Sequence, residues 1–81
     1  MITAGRIMEA VENFRSRHRP ELDVERLRRV DSRETLAELV ELAAQDAAPL
    51  AVTDPDGSVI GVIDRQILLD GLRKGEERER P

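Results

Sequence analysis

The 81-residue chain reads as one α+β domain. Strand, helix, strand, hairpin turn, strand and helix follow one another from about residue 27 to residue 74, behind an additional N-terminal helix. Three stretches carry that reading. Thr35-Leu36-Ala37-Glu38 has the form of a capping box and opens an amphipathic run. Asp54-Pro55-Asp56-Gly57 separates two short apolar runs. Asp64 follows the second of these runs directly and stands where the N-cap of another amphipathic segment belongs.

The elements follow in chain order. Residues 3–18 are expected to be helical, because Ile7, Met8, Val11 and Phe14, with Ala4 and Ala10, recur at three- and four-residue spacing behind a candidate N-cap at Thr3. Pro20 closes this helix, since the residue before a proline is pushed out of the α region. Its narrow apolar stripe suits a helix lying across one edge of the domain or against a partner. Residues 21–31 follow neither helical nor strand period, and a turn leading into a short strand near Leu27–Val30 is expected. In the helix after the capping box, Leu36, Leu39, Val40, Ala43 and Ala44 share one face and Glu38, Glu41 and Gln45 the other. Asp46 to Pro49 ends it. Leu50–Thr53 is a short apolar strand.

In the turn that follows, Asp54 can bond its own backbone, Pro55 pre-sets φ, and Gly57 supplies a positive φ. Ser58–Ile63 is the return strand, apolar enough that both of its faces should be covered. Asp64 then caps a helix from Arg65 to Arg73, with Ile67, Leu68, Gly71 and Leu72 on one stripe and Leu69 beside it. Ile63 and Leu68 hold the N′ and N4 positions of a hydrophobic staple. Gly75 is the expected terminator, and residues 75–81 a charged, mobile tail. The organisation is thus 1–26 N-terminal helix and linker, 27–74 folded unit, 75–81 tail.

Composition narrows the function. A chain this short buries roughly 60–65% of its unfolded surface, near the lower limit for standing alone. There is no cysteine, and His18 is the sole histidine, so thiolate and His-rich metal sites are excluded. The apolar runs are too short to span a membrane and no signal segment opens the chain, so a soluble cytoplasmic protein is expected, meeting a membrane only indirectly. Phe14 is the lone aromatic residue. Nucleic acid is therefore not an expected partner, since single-strand binding needs aromatic platforms. A core of Leu, Ile, Val and Ala alone is thin for a monomer, and dimerisation is the simple remedy.

Residues 1–33 carry eight arginines against six acids, whereas residues 34–81 carry five basic and eleven acidic residues, for a net charge of −4. The arginine-rich stretch from Arg15 to Arg33 could meet phosphates, but Glu21, Asp23 and Glu25 interrupt it, and a self-paired solvated surface is expected. No serine or threonine has a histidine partner at a recognisable spacing. Asp54 and Asp56 lack the further ligands of a calcium loop, and no glycine-rich phosphate loop is present. No enzyme, catalytic residue or metal is expected.

Residues 27–74 resemble one cystathionine-β-synthase (CBS) motif. The resemblance lies in Thr35-Leu36-x-Glu38-Leu39-x-x-Leu42, in Ala48-Pro49-Leu50-Ala51-Val52-Thr53-Asp54, in the turn with Gly57, and in Gly61-Val62-Ile63 leading into Leu68-Leu69. Ile2-Thr3-Ala4-Gly5-Arg6-Ile7-Met8 is similar to the segment that commonly precedes such a motif. Within the family the chain looks most like the C-terminal CBS region of ATP-binding subunits of glycine betaine/proline ABC importers. There too the last helix starts without the usual aspartate and continues Leu-Leu.

The resemblance implies a single CBS motif that pairs with a second copy across a two-fold axis and regulates a neighbouring protein, here the ATPase subunit of an osmolyte transporter in osmoprotection. With one copy in the chain, a homodimer is expected, through Leu39, Val40, Ala43, Ile67, Leu68, Gly71 and Leu72. It also implies an adenosine-containing ligand, held at the strand-to-helix junction by a threonine or serine and by an aspartate that bonds the ribose. Asp64 stands at the first of those positions and Ile67 at the second, so both polar contacts are lost. What remains is an adenine site made by the backbone of Pro49, Leu50, Ala51 and Val52 and the wall of Val62 and Ile63 beside Asp64, for an adenine nucleotide or cyclic di-AMP. The competing reading is a pure dimerisation or scaffold protein, in which Asp64 is a helix cap and nothing more.

Overall fold

The computed structural model describes residues 2–17, 20–45 and 49–79, the last six of these by backbone alone. Readings that concern His18, residues 46–48 and residues 80–81 lie outside the described residues. The helices are α1 (Ala4–Ile7), α2 (Val11–Arg17), α3 (Leu36–Gln45) and α4 (Arg65–Glu79), and the strands are β1 (Arg28–Asp31), β2 (Leu50–Thr53) and β3 (Val59–Ile63), with a 3₁₀ turn at Val24–Arg26 ahead of β1. The α+β class and the strand–helix–strand–strand–helix order are those expected.

The sheet runs β1-β2-β3. β1 and β2 are parallel, with Val30 opposite Val52, and α3 makes the crossover that a parallel pair requires. β2 and β3 are antiparallel, Leu50 facing Ile63 and Ala51 facing Val62. Between Val52 and Thr53 the register shifts, because Val52 pairs with Gly61 and Thr53 with Val59, which leaves Ile60 as the extra residue of a bulge. The hairpin turn is built as its residues require. The Asp54 carboxylate accepts from the backbone N–H of Asp56 (3.0 Å) and of Ser58 (2.9 Å), and Gly57 sits at φ 89°.

Pleat alternation divides the sheet. Leu50, Val52 and Ile63 face the helical layer and join Ala4, Val30, Leu39 and Leu68 in the core. Ala51 and Val62, directly opposite one another, project from the other face and are also fully buried, on the side where α2 and the 3₁₀ turn pack on β3. Gly61, Val62 and Ile63 are all buried, as a strand covered on both faces should be.

Three expectations change. The N-terminal helix is not continuous: α1 ends at Ile7, Met8 turns extended (φ −59°, ψ 150°), and α2 begins at Val11. Glu9 interrupts the helix because it pairs with the outer edge of β3, its N–H donating to Val62 O (3.0 Å) and its O accepting from Val62 N–H (2.8 Å). A helix through residue 9 would leave those edge groups unbonded. Thr3 holds the N-cap position without a side-chain capping bond. The N–H groups of Ala4 and Gly5 donate instead to Glu34 O and Ser32 O, both at 2.8 Å.

In α3, Val40 and Ala44 are exposed while Leu42 packs on the core, so the buried stripe is Leu36, Leu39, Leu42 and Ala43. Thr35 Oγ1 accepts from the N–H of Glu38 at 3.4 Å, the forward half of the capping box. Finally, α4 does not stop at Gly75 but continues to Glu79. An interior glycine costs a helix only about 1 kcal/mol against alanine, and the Glu-Glu-Arg-Glu run behind it is made of good helix formers.

Candidate functional site

The junction from β3 into α4 is held by its own atoms. Asp64 Oδ1 accepts from the N–H of Ile67 at 2.8 Å, and the Asp64 backbone carbonyl takes the first helical bond, from Leu68 N–H at 3.0 Å. The carboxylate thus satisfies one of the orphan donors of the helix start, where an incoming anion would otherwise bind. Ile63 (2% exposed) and Leu68 (5%) lie in the same core cluster and act as the staple that sets the strand-to-helix angle. Ile67 packs half-buried against that core and offers no acceptor to a ribose.

The residues expected to form the adenine site are not all on one surface. Leu50, Ile63 and Asp64 line a groove of about 540 Å³ between α3 and α4. Ala51 and Val62 face the opposite side of the sheet, and Val52 is fully buried. Pro49 is half-buried at the entrance to β2. The groove is walled by Val40, Ala43 and Ala44 on α3 and by Leu68, Leu69 and Leu72 on α4, with Asp64 and Arg65 at one end. Its surface is mostly apolar.

The same groove gathers the exposed part of the expected pairing face. Leu39 and Leu68 lie inside the core, and Ile67 packs against it. Gly71 is buried against Ile7, whose side chain stands 3.0 Å from where a Cβ would be. Val40 is 39% exposed, and Ala43 and Leu72 are half-buried. Two further apolar residues, Ala44 and Leu69 (50% exposed), complete the face. Their signal was present in the sequence. Leu68 and Leu69 are adjacent on a helix, so one of them must turn away when the other enters the core.

The arginine-rich stretch pairs with acids of its own and with Glu9. Arg17 meets Glu9 at 2.6 Å, Arg29 meets Glu25 at 2.6 Å and Arg33 meets Asp31 at 3.0 Å, while Arg15 donates to Pro20 O at 2.8 Å. The hydrogen bonds from Arg33 hold the Asp31 carboxyl below its ordinary 3.8. Among the described residues no three His, Cys, Asp or Glu side chains come together as a metal site, and no helix is long and apolar enough to cross a membrane.

No protein-family model matches this chain, and no curated protein matches it significantly. Its three-stranded sheet, with helices after the first and third strands, is the fold of a CBS domain. The chain resembles the crystal structure of a CBS domain-containing protein of unknown function from Bacillus anthracis, with a TM-score of 0.51 and 18% sequence identity over 83% of its length. The match spans 51% of that protein, about half of it.

Proposed function

We propose that this chain is a non-catalytic CBS-type module that works as a homodimer, pairing through the α3–α4 groove and thereby holding two larger subunits in a defined relation. The observation that carries this reading is the apolar surface made by Val40, Ala44, Leu69 and Leu72 on a domain whose core is aliphatic but for Phe14. Burying such a face against its own copy is isologous, needs no other partner, and adds the apolar area a small core lacks. Pairing two copies of the motif described here would make a unit about as long as the B. anthracis protein, half of which this chain matches. In the same reading the regulated subunit is the ATPase of an osmolyte importer. That link rests on Leu68-Leu69 and on the isoleucine at position 67.

Sedimentation velocity tests the pairing. The expected result is a dimer that dissociates on dilution, and a Val40→Glu, Leu69→Glu double variant that stays monomeric with its helical spectrum intact. A parent chain that sediments as a monomer at every concentration overturns the reading.

A sensor reading is favoured by one feature, the size of the groove, which falls within the roughly 300–1,000 Å³ of small-molecule pockets. An adenine ring on Leu50, Ile63 and Leu68 would place its phosphates near Arg65, but also near the Asp64 carboxylate, which repels them. AMP, ATP, S-adenosylmethionine and cyclic di-AMP are the ligands to test by thermal unfolding. Saturation at a hundred times Kd stabilises the native state by about 2.7 kcal/mol, a shift of several degrees for a domain of this size. A shift with one of them makes the module a sensor, and none leaves the ligand-free pairing module.

A further inference from the structure

On a different face of α4 from the groove, α4 and the N-terminal segment enclose a second pocket of about 290 Å³. Its apolar part is formed by Ile7, Met8 and Ile67, and its charged part by two guanidinium groups (Arg6, Arg17) and two carboxylates (Glu9, Asp70). One cation and one anion are already matched, since Glu9 and Arg17 pair at 2.6 Å. Among the described residues the Arg6 guanidinium makes no hydrogen bond or ion pair, and the Asp70 carboxylate accepts only from Gln66 Nε2, at 3.3 Å. Arg6 and Asp70 do not pair with each other. A mixed hollow with an apolar part is thus left with a guanidinium and a carboxylate addressing it separately.

The charge balance selects the ligand. A phosphate reaching Arg6 would also face Glu9 and Asp70, and a simple cation at Asp70 would face Arg6 and Arg17. Only a molecule carrying both charges, with an apolar remainder, meets every group favourably. We propose that this pocket binds a free α-amino acid with an aliphatic side chain. Its carboxylate takes a forked pair of hydrogen bonds from Arg6, its ammonium donates to Asp70, and its side chain lies over Ile7, Met8 and Ile67. A guanidinium is suited to the first contact because its two N–H groups match the two carboxylate oxygens. This site is independent of the pairing face.

L-Leucine and its two halves provide the test. 4-Methylpentanoate lacks the ammonium, and 3-methylbutylamine lacks the carboxylate. Two-dimensional amide NMR of the full chain should show saturable shifts at Met8, Ile67, Asp70 and Gly71 with leucine. Each half should bind about tenfold more weakly, as the loss of one charge-assisted contact implies. Arg6→Ala, at an exposed position, should weaken leucine by a similar factor while leaving the thermal midpoint in place, and Asp70→Asn should do the same from the other charge. If Asp70→Asn disturbs the fold, Arg6→Gln serves in its stead. No saturable shift with leucine overturns the proposal, as does equal binding of either half or unchanged affinity in the Arg6 variants.

Discussion

At Gly61 a missing side chain makes room for a contact. A Cβ there would lie 2.5 Å from Met8 Sδ and 2.9 Å from Met8 Cβ, so the whole side chain would have to move, not only its flexible end. Gly61→Ala is expected to destabilise the domain by about 1–3 kcal/mol through overpacking. Part of that loss should vanish in a Met8→Ala background, which removes Sδ and Cγ but keeps the Cβ, and urea denaturation of the four members of the cycle measures the coupling. Additive losses would mean that Met8 is not what Gly61 accommodates. Asp64 is tested in the same way. Asp64→Ala should lower stability by about 1 kcal/mol, the usual worth of an N-cap, while Asp64→Ser keeps most of it.

The pairing of Arg33 with Asp31 has a pH signature of known sign. The folded carboxyl lies below its ordinary 3.8, so its contribution is present above that value and fades as pH falls through the lower folded one. Arg33→Ala should raise the Asp31 titration midpoint in an NMR titration. An unmoved midpoint would assign the depression to something other than the Arg33 side chain, such as the Arg33 backbone N–H that also donates to Asp31.

Elements were legible in the sequence where their cause is local. The Asp54–Gly57 turn, the Asp64 cap and the Ile63–Leu68 staple are each decided within a few residues, and each stands as expected. The N-terminal helix was misread because what breaks it is remote. Periodicity sees Ile7, Met8, Val11 and Phe14 as one stripe, but it cannot see that the backbone of Glu9 is needed at the edge of β3. The chain passes over that edge, leaving Ile7 and Met8 with the helical layer and Phe14 buried beyond it. The face of α3 was misjudged for a related reason. Leu39 fixes the inward direction, and choosing Leu42 over Val40 depends on where β2 lies beneath it.

The same backbone bridge gives a prediction at this scale. Glu9→Pro removes the donor to Val62 O, and Met8 already has a backbone suited to precede proline. The expected loss is about 1–3 kcal/mol for the unsatisfied carbonyl, whereas Glu9→Ala, which removes only an ion pair with an exposed arginine, should cost less than about 1 kcal/mol. Equal effects of the two substitutions would mean that the side chain, not the bridge, holds the segment.

For the whole molecule the controlling fact is size. Among the described residues, the buried ones form one small aliphatic cluster with Phe14, Ala51 and Val62 beyond the sheet, and the large apolar side chains left in solvent, Val40 and Leu69, both line one groove. If that groove closes on a second copy, the thermal midpoint must rise with protein concentration, because dimer formation and folding are then one equilibrium. A midpoint independent of concentration would leave the groove open for something else. Of the candidate site, the sequence disclosed the helix cap at Asp64 and the apolar side chain at Ile67, since both are visible as letters. It did not disclose that Ala51 and Val62 turn away from Leu50 and Ile63, because pairing register is a property of two strands together.

The bridge between Glu9 and Val62 also orders events in time. Residue 9 leaves the ribosome 53 residues ahead of the strand it joins, an interval of roughly 3–10 s at ordinary rates of synthesis. Through that interval Ile7, Met8 and Phe14 lack the strand they pack beside, so this segment settles only after residues made well behind it. Until then a newly made chain is open to chaperones and proteases in this stretch, which the finished protein keeps tied down.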